Sequence, residues 1–304
     1  MFLLQFLAVI CSADADISSQ AHSFLASTLF TSFVYTQPTP RSQHSPSEED
    51  DTDRDDEPES IGQIFEINFP ALLETLQIFG ITDPSSSRFT KQDPYTALPS
   101  TTGGAFSSTV LGMGGLCRLS YEAVGSPLEI IMEEAGVRTT CELTTYEPEA
   151  YVEDIPFMRS NLHLKIILRS VSLHDALGEL ASTQSERILF AARDDETFEM
   201  SAEGPLGSAN VEFNNLGDSK LMETFQLAKR KVKVRYKFGQ LKAAARAMAV
   251  ATKVSMRIDQ QGVLSLQFMI EVEGGSVSFV DFRFVPLIKE DGESEHSNDT
   301  DDEE

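Results

Sequence analysis

Lys242, Arg246 and Lys253 have the types and spacing best suited to chemistry, and that chemistry is recognition of phosphate. They lie in KFGQLKAAARAMAVATKV, residues 237–254. With Ala249 they fall in one narrow stripe when successive residues turn by about 100°. Leu241, Ala244, Met248 and Ala251 fall opposite, where they can pack on a core. The alanines keep the cationic side low, which suits close approach to an extended polyanion. The same stripe also suits an ordinary solvated face. The spacing predicts one helix of about three turns, starting near Gly239 and ending where β-branched residues take over after Ala251.

Other chemistries have less to stand on. Two-metal hydrolysis needs several convergent carboxylates. Here the acids gather in two runs, nine in residues 47–60 (SEEDDTDRDDEPES) and nine in residues 290–304 (EDGESEHSNDTDDEE). Cys11, Cys117 and Cys141 form no CxxC and fit free thiols in a reducing compartment. The five histidines do not cluster with cysteines or carboxylates at metal spacing. No catalytic residue, metal ligand set or cofactor is expected.

The formal net charge is −24 over 304 residues. Setting both acidic runs aside leaves 30 acidic and 23 basic residues, a net of −7. The body is mildly acidic, and the two runs read as solvated segments that could take phosphate at Ser47 or Thr300. Apolar content of 41% supports real cores, and no apolar run is long enough to span a bilayer. MFLLQFLAVICSADA imitates a secretory signal, with Ala13-Asp14-Ala15 as a cleavage site, which would make a secreted β-rich binding protein. It lacks the basic start of such a signal. An amphipathic helix with Leu3, Leu7 and Ile10 on one face is the other description.

The elements that position the basic stripe are mostly strands. Lys231–Phe238 alternates without a break, with Val232, Val234 and Tyr236 opposite Lys231, Lys233, Arg235 and Lys237. Strands at 254–258, 263–270 and 276–285 follow the helix as a meander, turning at Asp259-Gln260-Gln261-Gly262 and Glu273-Gly274-Gly275. Upstream, a strand at 162–169 leads into a helix capped by Ser172, then strands near 187–192, 197–203, 208–213 and 222–227. In the first half, a strand at 61–67 leads into a helix capped by Asn68 and running to Gly80. Strands at 116–122, 128–133 and 137–145 complete it. Residues 37–60 and 82–115 are polar or rich in Ser, Thr, Pro and Gly and read as flexible insertions. The two halves repeat one order of elements, an internal duplication with sheets on one side and helices on the other.

SPLEIIMEEAGVRTTCELTTYEPE (126–149), SVSLHDALGEL (170–180), AEGPLGSANVEF (202–213) and KVSMRIDQQGVLSLQFMIEVEGGSVSFVDFRFVP (253–286) resemble the DNA-damage checkpoint sliding clamp. Within that heterotrimer, the 9-1-1 ring related to PCNA, they are similar to the Rad-one subunit family. The likeness covers 116–286 well and 18–80 more loosely. It implies an α+β fold, the PCNA-like sliding clamp, with two topologically similar domains, outer β-sheets and inner helices. The first domain would be 1–145, incomplete and carrying the insertions 37–60 and 82–115. An interdomain connector at 146–161, a second domain at 162–288 and an acidic disordered tail at 289–304 would follow. Against the family pattern LLQFLAVICSADAD stands where the first helix belongs, and Ile17-Ser18-Ser19-Gln20 jumps to a later strand, so a shortened first domain is expected.

The resemblance also implies roles. Lys242, Arg246 and Lys253 would face duplex DNA inside a ring. Subunits would join by strand addition at two edges, Ser208, Ala209, Asn210, Val211, Glu212 and Phe213 on one side and Leu128, Glu129, Ile130 and Ile131, in strand 128–133, on the other. Partners would be two other checkpoint clamp subunits, a clamp loader, double-stranded DNA, and checkpoint and repair proteins docking beside the connector. The place would be the nucleus, with no membrane. The function would be a non-enzymatic platform for DNA-damage checkpoint signalling and DNA repair. A 3'-5' DNA exonuclease is the alternative, since such activity has been suggested within the family.

Overall fold

Period-two alternation recurs along the described residues, and it builds strands. The computed structural model describes residues 6–12, 18–36, 64–78, 116–134, 137–148, 154–215, 220–271 and 276–288. In chain order the elements begin with β1 (Phe6–Ser12), β2 (Ser19–Ala26) and one 3-10 turn at Ser27–Leu29. Next come β3 (Glu66–Ile67), α1 (Phe69–Ile78), β4 (Leu116–Ser120), β5 (Leu128–Glu134), β6 (Val137–Leu143) and β7 (Thr145–Tyr146). Then follow β8 (Leu162–Arg169), α2 (Ser170–Ala181), β9 (Arg187–Arg193), β10 (Thr197–Gly204), β11 (Gly207–Phe213), β12 (Met222–Leu227) and β13 (Lys231–Lys237). The last are α3 (Phe238–Ala243), α4 (Ala245–Val250), β14 (Lys253–Asp259), β15 (Leu264–Glu271) and β16 (Val277–Phe284).

The chain divides into two compact units. One joins Met1–Thr36 to Glu153–Glu304, and the other is Gln37–Val152. The first unit holds a seven-stranded antiparallel sheet in the order β1-β2-β16-β15-β14-β8-β12 and a four-stranded sheet in the order β11-β10-β9-β13. The second holds the pair β3-β7 and the sheet β4-β5-β6, with α1 packed on β6. The insertions at 37–60 and 82–115, the acidic tail, Ser47 and Thr300 lie outside the described residues.

Residues 1–36, expected with the first domain, group with the C-terminal unit because β2 pairs with β16. The ladder runs from Ser19 opposite Phe284 to Phe24 opposite Phe279. Phe6–Ser12 is a strand and not the expected helix. FLAVICS is rich in β-branched and aromatic residues, and each of its residues finds a register partner on β2, from Phe6 opposite Ala26 to Ser12 opposite Gln20. Asn68 caps α1 as expected, its Oδ1 accepting from the Ala71 N–H at 3.0 Å. Ser172 does not cap α2. That helix starts two residues earlier, and Ser170 Oγ instead donates to the Met248 carbonyl at 2.8 Å, tying α2 to α4.

One core fills the space between the two sheets of the first unit. Leu164, Ile166 and Leu168 from β8, with Met256 and Leu266 from the meander, meet Ile188, Phe190 and Met200 of the smaller sheet. Leu173, Leu177 and Leu180 of α2 and Phe238, Leu241 and Met248 of α3 and α4 close it. Phe190 stands edge-on to Phe198 and to Tyr236, with centroids at 5.6 and 5.4 Å. Tyr236, fully buried, donates its hydroxyl to the Gly262 carbonyl at 2.8 Å, and burial raises its pKa well above the ordinary value. Gly262 has φ +83° at the β14–β15 turn, where a side chain would be strained. Phe190→Ala should cost about 3–5 kcal/mol and Tyr236→Phe about 1 kcal/mol. Urea unfolding of the two variants beside the parent chain checks the order.

Candidate nucleic-acid and subunit interfaces

The basic stripe is divided between two helices and a strand. Ala244, with φ −79° and ψ −5°, separates α3 from α4, and Ala251 turns extended at ψ 146° to end α4. Lys242 and Arg246 are exposed on these helices, among the low surface of Gly239, Ala243 and Ala249. Leu241, Ala244 and Met248 are buried, as the spacing predicts. Lys242 Nζ lies 4.4 Å from the centre of the Phe238 ring. Lys253 is not on the helix. It opens β14 opposite Arg169 and Met269, and its Nζ sits 2.8 Å from Glu223 Oε2. The cause is Thr252, whose N–H bonds the Met269 carbonyl at 2.9 Å and begins the ladder. The exposed residues of the neighbouring α2 include Asp175 and Glu179, so the helix surface carries both signs.

The two expected edges fare differently. β11 pairs only with β10 among the described strands. Ser208, Asn210 and Glu212 are exposed, Ala209 and Val211 half-buried, and Phe213 buried. A two-residue turn, Pro205-Leu206, and Gly207 at φ +132° set this strand off from β10. Leu128, Glu129, Ile130 and Ile131 are not at an edge. They lie in β5, the central strand, with β4 on one side and β6 on the other. Both rows of backbone groups are used, and Ile130 and Ile131 are buried. The outer strands of that sheet are β4 and β6. The apolar run LEIIM carries the mark of a central strand, whereas VRTTCEL carries the polar residues of an outer one.

The alternating charges in SVSFVDFRF mark a further site that the sequence analysis left out. Gln20 and Arg283 are register partners on β2 and β16, and together they grip one residue of the expected connector. Gln20 Oε1 accepts from the Ile155 N–H at 2.7 Å, and Arg283 Nη1 donates to the Ile155 carbonyl at 2.8 Å. Asp259 accepts from the Met158 N–H at 3.1 Å while its other oxygen holds the Gln261 and Val263 amides at 2.9 Å. Asp281 takes a hydrogen bond from Ser265 Oγ at 2.7 Å and lies 3.6 Å from Arg283 Nε. Arg257 reaches Ser265 Oγ at 3.0 Å and sits over Phe157. His22 Nε2 is 3.9 Å from Asp154 Oδ1.

Burial, helped by Arg283, lowers the His22 pKa below its ordinary 6.5, against smaller upward pulls from Asp154 and Asp281. A lowered folded-state value means that the unfolded chain takes up more protons as pH falls through 6.5. The stability carried by neutral His22 is therefore present above that pH and is lost below it. Urea midpoints at about pH 7.5 and 5.5, bracketing this value, should fall more for the parent chain than for His22→Asn. A residual slope comes from His163, which is also lowered.

Among the described residues no three His, Cys, Asp or Glu side chains come together as a metal site, and no helix is long and apolar enough to cross a membrane. A family model described as repair protein Rad1/Rec1/Rad17 matches residues 8–270. The cell cycle checkpoint protein RAD1 of Mus musculus is 35% identical over 222 residues, covering 73% of this chain and 69% of that protein. The DNA damage checkpoint control protein rad1 of Schizosaccharomyces pombe is 30% identical over 286 residues, 93% of this chain and 78% of that one. A more distant relative, 24% identical over 278 residues (71% of this chain, 59% of that one), is the DNA repair exonuclease REC1 of Mycosarcoma maydis. The crystal structure of PCNA from Thermococcus kodakaraensis superimposes with a TM-score of 0.61 over 94% of this chain and 88% of that one, at 14% identity. This likeness shows the sliding-clamp fold.

Proposed function

The chain belongs to the Rad1/Rec1/Rad17 family of repair proteins, and on that premise we propose that it is a non-enzymatic subunit of a heterotrimeric checkpoint clamp. The ring encircles duplex DNA, is set there by a clamp loader at damage sites, and carries checkpoint and repair proteins in the nucleus. Its two clamp domains are those expected at 1–145 and 162–288, with 146–161 as the connector and residues 1–36 held to the second by the β2–β16 ladder.

The observation that carries this reading is the open side of β11 in a chain that already contains the required joint. β2 is the second strand of a hairpin, and it pairs antiparallel with β16, the last strand of a meander. β11 is likewise the second strand of a hairpin, and β6 the last strand of the meander β4-β5-β6. A β11 edge meeting a β6-type edge of the next subunit repeats the internal joint head to tail, and three such contacts close a ring. This replaces β5 by β6 as the second edge.

A proline removes a ladder donor, and successive N–H groups on a strand point to opposite sides. Of Asn210→Pro and Val211→Pro, the one with the outward N–H should fold and lose a neighbouring subunit, read as native mass against the complex of three clamp-sized chains. Full trimers from both variants would reject this edge.

Lys242 and Arg246 would meet phosphates, contacts that read no sequence and weaken with salt. Lys253 adds less, because its amine is held by Glu223. Lys242→Glu with Arg246→Glu should leave the ring assembled and cut its retention on DNA. The slope of log affinity against log salt should fall by about two. Retention unchanged at low salt would assign the helix surface to plain solvent.

A further inference from the structure

β12 carries an open edge that the function above does not use. It ends the seven-stranded sheet and pairs only with β8 among the described strands. The Ala228 N–H donates to the His163 carbonyl at 2.9 Å, one pair beyond Leu227 opposite Leu164. Bonded and unbonded pairs alternate along an antiparallel ladder. Thr224 and Gln226 therefore direct their N–H and C=O groups to β8, and those of Phe225 and Leu227 point to the open side. The chain itself shows what suits such a place. At Met222 the Asn215 carboxamide stands in for a neighbouring strand. Its Oδ1 accepts from the Met222 N–H at 2.9 Å, and its Nδ2 donates to the Met222 carbonyl at 3.0 Å. A bulge follows between Met222 and Thr224, and this substitute rung reaches no further.

The uncovered part of the edge borders a cleft. Phe225 and Leu227 stand opposite Ile166 and Leu164, so they share the core face of the sheet, where they are half-buried. They floor a cleft of about 340 Å³ that two turns wall in. The β9–β10 turn supplies Asp194 and Glu196, and the β12–β13 turn supplies Lys229 and Arg230. The turns are tied together by the Asp194 N–H, which donates to the Arg230 carbonyl at 3.1 Å. Glu196, at φ +60°, accepts from Asn215 Nδ2 at 3.4 Å. Asn215 thus closes the Glu196 end. The Arg230 end sets two exposed bases against one acid, Asp194. Burial, and after it the charge of Lys229, lowers the pKa of the nearby His163, against an upward pull from Asp259.

We propose that this edge takes an extended peptide as an added strand, antiparallel to β12, with the pattern acid-x-apolar-x-apolar. The first apolar residue pairs with Leu227 and the second with Phe225. Each exchanges two backbone hydrogen bonds with its partner and lays its side chain on the cleft floor. The antiparallel sense is the more stable ladder. It brings the acid, two residues ahead of the first apolar one, to Lys229 and Arg230. The site shares no residue with the edges and helices assigned above, so it does not rest on the ring reading.

The probe is acetyl-Glu-Thr-Val-Thr-Leu-Thr-amide, titrated into the full isotope-labelled chain and followed by backbone amide resonances. The Phe225 and Leu227 amides should shift and saturate, while those of β6 and β11 stay in place. N-methylation at Val or Leu of the peptide removes an N–H that faces β12 and should weaken binding about tenfold or more. N-methylation at the Thr between them should leave it within about twofold, because that N–H points away. Replacing the peptide Glu by Gln should weaken binding about tenfold, as should Lys229→Ala with Arg230→Ala, since each removes a charge-assisted contact. Asp194→Asn should tighten binding several-fold. All three changed side chains are exposed, and an unchanged circular dichroism spectrum checks that the variants fold. Equal binding by all the N-methylated peptides would mean apolar adhesion without strand addition and overturn the proposal. Shifts centred on β6 or β11, binding indifferent to Lys229 and Arg230, or no saturation up to about 1 mM would overturn it too.

Discussion

A strand buried in a sheet needs partners for the N–H and C=O groups on both of its sides, and for β16 one of those partners comes from the other end of the sequence. β15 meets one side by ordinary meander pairing. Ser19–Ala26 meets the other. The seven-stranded sheet, the placing of β1 and the hold on Ile155 all follow from that ladder. Gln20 and Arg283 can grip one residue of the chain above them, by its N–H and its C=O, only because the register sets them side by side. Without the ladder β16 would present a long hydrophobic edge, a template for unwanted pairing.

The second half of the fold was legible in the residues because strands such as β8, β10 and β14 alternate. Val254, Met256 and Ile258 face one core, and Lys253, Ser255 and Arg257 lie on the other face of the strand. The first half was harder to read. FLAVICS satisfies a helical face and a strand equally, and the choice falls to a partner strand that no local pattern names. The basic stripe failed at one residue for a similar reason. Lys253 keeps helical spacing with Arg246, but Thr252 and Val254 are β-branched and Met269 offers a ladder. The buried polar set around Asp281 was visible as charges inside an apolar strand. Its purpose depends on Ile155, more than 120 residues away in the chain.

Charge is organised by surface on this molecule. The overall acidity sits mainly in two runs, while cations are gathered on α3 and α4, along β13, and beside Ile155 and Phe157. Those beside Ile155 and Phe157 are structural. Arg257 and Arg283 are largely covered and engaged with Ser265, Asp281 and the Ile155 carbonyl. A buried cation kept with partners fixes geometry more than it adds stability. Lys242 on α3 and Arg246 on α4 stand on an exposed surface.

The ladder between β2 and β16 also sets an order on synthesis. The ribosome releases Ser19–Ala26 more than 250 residues before Val277–Phe284 exists. Until then the β1–β2 hairpin has no sheet to join, and two-stranded hairpins alone are marginal in water. Closing so long a loop is slow, and unpaired strand edges waiting for their partners invite aggregation. The β1–β2 hairpin is therefore secured only once β16 has been made, long after its own synthesis.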